Sequence, residues 1–221
     1  PFDALESFPG ESTVYLRIPW AFVEPEEGKF NWSILDTPAQ RWIDAGKYCS
    51  FRITCNESWM RYATPEWVKN AGARGYNIKK RGAPGAYFGI TKGKGDLWEP
   101  VYDDPVFLEK LENFIRAMAA RYDNNPRVAF IDIGSFGTWG EGHTVHTSKI
   151  QYDFDVFKTH IDIHCRHFKN TLLCLSDDVD GHNNTSGDYP VMDYALSQGV
   201  TMRDDSIQSQ PPPIAWYHAD M

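Results

Sequence analysis

The chain reads as an α/β fold built on a parallel sheet, and three observations predict it. Short, nearly continuous apolar runs alternate with segments of helical periodicity, the pattern of strands buried on both faces. Each apolar run is followed at once by polar and aromatic residues. No repeat, low-complexity tract or linker interrupts the alternation, so residues 1–221 read as one domain.

The first β-rich run is Ser12 to Pro19, STVYLRIP, and Ser33 to Ala45 follows as a helix closed by Gly46. Tyr48 to Thr54, YCSFRIT, is the second strand. Thr64-Pro65-Glu66 has the grammar of a helix start: a capping hydroxyl, proline at the first helical position and an acid in the first turn. From Gly75 to Asp103 the chain is rich in Gly, Lys and aromatics with little periodicity, and it is expected to be a loop over the active face. Asp104-Pro105 caps the clearest helix, in which Phe107, Leu108, Leu111, Phe114, Ile115 and Met118 recur at helical spacing until Asn124-Asn125-Pro126 stops it.

Val128 to Ile133, VAFIDI, is the third strand, Asp153 to Phe168 an amphipathic helix, and Thr171 to Leu175 the fourth strand. Tyr189 to Gln198 is helical up to Gly199, and Val200 to Arg203 is the fifth strand. Five strands fall short of the eight of a (β/α)8 barrel. An open doubly wound sheet is the alternative, but the first strand-to-helix turn lacks a Gly-rich phosphate loop.

A composition of 42% hydrophobic and 24% charged residues is that of a globular protein. The net charge of -8 and the absence of long basic runs argue against nucleic acid or an anionic membrane surface as partner. The single basic cluster, Lys79-Lys80-Arg81, is flanked by Gly and Pro and reads as a solvated loop. Neither a signal-peptide pattern nor an apolar run of transmembrane length occurs, and Pro1 is not an initiator residue. Cys49, Cys55, Cys165 and Cys174 lack zinc-ligand spacing and read as free thiols.

Chemistry-bearing residues gather after the strand ends: Trp20 and Glu24; Asn56, Glu57, Ser58 and Trp59; Trp139, Glu141 and His143; Asp177 and Asp178; Arg203, Asp204 and Asp205. In parallel α/β folds those ends form one rim, where ligands and catalytic groups converge. Glu141 is the sharpest of them. It lies between two glycines in SFGTWGEGH, where a ligand can approach closely, beside Trp139 and His143. With eight Trp, eleven Tyr and thirteen Phe, the chain is also rich in the flat rings that stack on sugar faces. Departure of a sugar alkoxide requires its protonation, which a carboxylic acid of raised pKa supplies.

The segment YLRIPWAFVEPEEGKFNWSILD resembles the second strand and following turn of clan A glycoside hydrolases, the group of family 5 cellulases and family 42 beta-galactosidases. It carries their Arg-Ile-Pro run and their Glu-Pro-x-x-Gly-x-(Tyr/Phe)-x-Trp run. TPEWV and the stretch from Asp103 to Thr144 are similar to the fourth-strand region of beta-galactosidase-like barrel proteins. The resemblance implies a (β/α)8 TIM barrel of which this chain covers roughly strands two to six. Strand one is then expected before Pro1, and strands seven and eight after Met221.

On that register Glu141 is the acid/base of a retaining glycosidase that cleaves oligo- or polysaccharides. The nucleophilic Glu belongs to strand seven, and Arg17 sits beside it to keep it ionised. The clan's Asn before the acid/base is replaced here by Gly140, leaving Asn56 or His143 to bind the sugar 2-hydroxyl. The further substrate contacts expected are Glu57, Trp59, Trp139, Asp178, Arg203, Asp205 and Trp216, whereas Trp20, Trp32 and Trp42 read as packing. No cofactor and no metal are expected, the partner is a carbohydrate, and a secreted or periplasmic location follows by analogy with polysaccharide-degrading enzymes. Two rivals stand beside this reading. One is a non-catalytic carbohydrate-binding barrel; the other is a metal-dependent hydrolase with ligands among His143, His146, Asp177, Asp178, His182 and His218, although neither HxH nor HExxH occurs.

Overall fold

A computed structural model describes residues 12–79, 96–180 and 187–204. Strand β1 (Thr13–Pro19) runs into the short helix α1 (Trp20–Val23), then α2 (Ser33–Asp44) and β2 (Tyr48–Thr54). Helix α3 (Glu66–Asn70), β3 (Gly75–Ile78), β4 (Leu97–Pro100) and α4 (Pro105–Tyr122) precede β5 (Val128–Asp132). Helix α5 (Phe154–His167), β6 (Leu172–Ser176), α6 (Pro190–Ser197) and β7 (Thr201–Arg203) follow.

Strands β1, β2, β5, β6 and β7 form one sheet in that order, and every pairing is parallel. Each strand therefore lies beside its predecessor in the winding, with no reversal of order. That is the winding of a barrel wall, not of a doubly wound sheet. The side chains show the curvature directly. Tyr15 of β1 hydrogen-bonds Asp132 of β5 across the intervening β2, and Arg203 of β7 reaches the same carboxylate across β6.

The convex face is the hydrophobic core. Phe51, Ile53 and Ile131 of the strands are buried in one cluster with Leu35 of α2, Phe107, Leu111 and Phe114 of α4 and Ile161 of α5. Helix α4 starts as its sequence dictates: Asp104 accepts the backbone N–H groups of Val106 and Phe107 at 3.0 and 3.1 Å, with Pro105 in the first turn. Trp20 and Trp42 are buried and Trp32 stacks on Phe30, so all three pack. All four cysteines are free thiols.

One expectation is corrected. The stretch from Gly75 to Asp103 is not wholly a loop, because β3 and β4 pair antiparallel. Two strands of four residues each are too short to register as periodicity. Their pairing is fixed by burial of Leu97 and Trp98 and by Gly75, where any Cβ would stand 2.3 Å from the Trp98 indole. Glu99 of this hairpin accepts the Ser148 N–H at 2.9 Å and so fastens it to the segment that follows Glu141.

Candidate active site

The register of the parallel strands sets Arg17, Arg52, Asp132 and Cys174 in one row across four strands. In a pleated sheet residues so aligned share a face, and here it is the concave one. Arg52 is the centre of that row, with its side chain 1% exposed. Its Nη2 donates to Glu141 Oε1 at 2.8 Å, its Nε to the Trp139 carbonyl at 2.8 Å, and its Nη1 to the Tyr15 hydroxyl at 3.2 Å. Nη1 also lies 3.6 Å from Asp132 Oδ2. Burial pushes the Asp132 carboxyl upward, opposed by Arg203 and Arg52.

Glu141 stands nine residues beyond β5, at the end of a tight turn through Thr138–Gly140. The turn is built from left-handed backbone: Gly137 at φ 81°, Trp139 at φ 58°, Gly140 at φ 74° and Gly142 at φ 81°. Glycine is required at 140 twice over, since a Cβ there would also meet the Gly134 carbonyl oxygen at 2.6 Å. An Asn in this place, as in the clan, cannot be accommodated by this turn. Trp139 is held in its unfavourable conformation by its N–H to the Asn56 carbonyl at 2.9 Å, its indole N–H to Ser58 at 3.1 Å and the bond from Arg52. Behind the turn, Ser135 and the buried His160 ring meet at 2.8 Å, and burial pushes that imidazole down to about 4, so it is neutral.

Around the Glu141 carboxylate, 15% exposed, the structure brings together several of the residues expected from sequence. Arg17 Nη1 lies 4.0 Å from Oε1, and His143 Nε2 lies 3.6 Å from Oε2. Glu141, His143 and Asp178 place one ligand-type atom each within 4.8 Å of one another. A divalent cation there would have to share Glu141 with the Arg52 guanidinium at 2.8 Å, and the like charges repel. Of the other residues in the metal reading, His182 and His218 lie outside the described residues.

Glu57 sits one step behind this layer and is almost fully buried. Thr54 Oγ1 and the Trp59 indole N–H each donate to its carboxylate at 2.9 Å, and Arg17 Nε approaches at 3.3 Å. Burial pushes its pKa up, and Arg17 leads the groups that pull it back. Asn56 is buried too and meets Trp139 through its backbone carbonyl. Arg203 turns into the barrel to pair with Asp132. Asp205 and Trp216 lie outside the described residues. Tyr15, Arg52 and Asp132 were not foreseen. The signal was present, because a charge within an apolar strand, as in YCSFRIT and VAFIDI, needs a buried partner.

A search of curated proteins gave no match. Among solved structures the chain is similar to the beta-galactosidase of the psychrophile Marinomonas ef1, with 13% identity, a TM-score of 0.53 and coverage of 87% of this chain and 36% of that one. It is similar also to the polyextremophilic beta-galactosidase of the Antarctic haloarchaeon Halorubrum lacusprofundi, with 12% identity, a TM-score of 0.54 and the same 87% and 36% coverage. At such identities the likeness is one of fold, and it agrees with the barrel winding of the sheet. This chain thus spans little more than a third of the length of either enzyme. The sequence profile of glycoside hydrolase family 42, described as beta-galactosidase, matches residues 12–157, from β1 into α5. The chain belongs to glycoside hydrolase family 42.

Proposed function

We propose that this chain supplies strands two to six of a retaining glycosidase that hydrolyses O-glycosidic bonds of oligo- or polysaccharides, with Glu141 as its acid/base. The observation that carries the reading is the place of Glu141. Its carboxylate is held over the C-terminal end of the sheet by Arg52, beside His143 and Asp178, and His143 in turn meets the Trp139 ring. By the clan resemblance, the partner carboxyl comes from a seventh strand. Two guanidinium groups within 4.0 Å favour the ionised form of Glu141, which is the base needed to activate water in the second step. In the first step the same carboxyl, in its acid form, gives its proton to the leaving glycosidic oxygen.

The test uses the full-length protein on two substrate kinds, aryl galactosides with good leaving groups and unactivated oligosaccharides. Glu141→Gln should lower turnover of the oligosaccharides at least about 100-fold while sparing much of the first step on activated aryl glycosides, whose leaving groups need no proton. Oligosaccharide turnover that falls less than about 10-fold on the substitution would remove Glu141 from the mechanism.

A further inference from the structure

We propose that Arg52 is a positioning residue, which from inside the barrel sets both the place and the charge of Glu141, while Asp132 governs how much of the guanidinium Glu141 receives. Only the kinetic part of the test rests on the glycosidase reading.

The geometry uses every nitrogen of the fork. Nε fixes the Trp139 carbonyl and Nη2 fixes the Glu141 carboxylate, so one rigid plane grips the residues on either side of Gly140. That grip spans two consecutive left-handed residues, Trp139 and Gly140, and left-handed backbone costs a non-glycine residue about 1–3 kcal/mol. A turn so strained keeps its shape only where its surroundings over-determine it. The third nitrogen, Nη1, faces Tyr15 and Asp132, and Asp132 is in turn shared with Arg203. Lysine cannot replace this arrangement, because a single ammonium has no planar fork to join a carbonyl and a carboxylate. Among the described residues the charged or titratable groups facing Glu141 include Arg17 of β1, Arg52 of β2, His143 of its own turn and Asp178 of the turn after β6.

The experiment is a carboxyl 13C NMR titration of the full-length protein labelled at glutamate, with the Glu141 signal identified by its loss in Glu141→Gln. Arg52→Met should raise the Glu141 midpoint by about one pH unit or more, the usual effect of losing an opposite charge at contact distance. Arg52→Lys should recover at least half of that shift. Asp132→Asn should move the midpoint the other way, because the guanidinium is then left to Glu141. In kinetics on an unactivated galactoside, whose leaving group needs the proton, Arg52→Met should carry the basic limb of kcat/KM to higher pH, since a weaker acid stays protonated longer. Arg52→Lys should keep that limb near its original place and lower kcat about 10–100-fold, through the lost hold on Trp139.

A folded Arg52→Met protein whose Glu141 midpoint does not move would overturn the proposal. If that variant fails to fold, Asp132→Asn decides: a downward shift supports the role of Arg52, and no shift or an upward one overturns it. Midpoints that move as expected in a protein without glycosidase turnover leave Arg52 in its role and refute the function proposed above.

Discussion

Glu24 and Glu141 stand in similar settings and do different work. Each follows a barrel strand, each lies in a turn punctuated by glycine, and each belongs to a segment that resembles the same clan. Glu24 is buried, and its partners are neutral: the Trp20 indole N–H and the Gly28 backbone N–H, both at 2.8 Å. Burial pushes its carboxyl upward, and the Gly28 and Trp20 donors pull it back. With them it closes the Glu-Pro-x-x-Gly turn, while its own backbone carbonyl accepts from the Trp67 indole at 3.0 Å. Glu141 instead meets Arg52, Arg17 and His143 and keeps part of its surface open. Neutral donors in a dry pocket close a turn; two guanidinium groups at the concave rim hold a carboxylate that stays partly open, as the proposed function requires. The role of a carboxylate is thus written in its partners more than in the spacing of its motif.

The sharpest way to break the contrast is to remove each carboxylate in turn. Glu141→Gln should lower turnover of an unactivated glycoside about 10²–10⁴-fold, the range for general acid–base catalysis, and leave the thermal midpoint almost unchanged. A large fall in stability instead would make Glu141 a structural group like Glu24. Gly140→Ala comes next. It forces a side chain into left-handed backbone and against the Gly134 oxygen at 2.6 Å, so a destabilisation of about 2–4 kcal/mol is expected in urea titrations, with loss of activity. Glu24→Gln should do the reverse of Glu141→Gln: it unpairs a buried donor at a cost of about 1–3 kcal/mol while kcat stays within about 3-fold.

Much of this contrast could be read before any coordinates. The apolar strands, the Asp104-Pro105 cap and the apolar stripe of α4 are local signals, and the structure keeps them within a residue or two. The convergence of Glu141, His143 and Asp178 was legible because strand ends of a parallel sheet share a rim. What sequence reading missed is the barrel interior. Tyr15, Arg52 and Asp132 lie on three strands and meet only once the sheet curls, so no spacing along the chain announces them. Gly140 was legible as a departure from the clan pattern, but its cause, a left-handed turn against Gly134, is visible only in three dimensions. The β3–β4 hairpin was hidden for the opposite reason, since its strands are too short to show a period.

A third carboxylate sharpens the comparison. Asp123, just after α4, accepts the backbone N–H groups of Lys169, Asn170 and Thr171 at 3.1, 2.9 and 2.8 Å and the Asn170 side-chain amide at 2.9 Å. It ties the end of α4 to the start of β6, at the end of the strands away from Glu141. Burial pushes its carboxyl upward, but the Thr171, Asn170 and Lys169 donors outweigh burial and hold it down to about 2. Here too the donors are neutral, yet they are numerous enough to keep the group ionised. A folded-state pKa depressed from the ordinary 3.8 means stability fully present above that value and lost as the pH falls toward 2. Asp123→Asn should therefore cost about 1 kcal/mol at neutral pH. In urea titrations the gap between the two proteins should narrow from pH 5 to pH 3. A gap constant over that interval would mean that shape alone, without charge, makes this tie, and that counting donors is not enough to predict which carboxylates of this barrel carry a working charge.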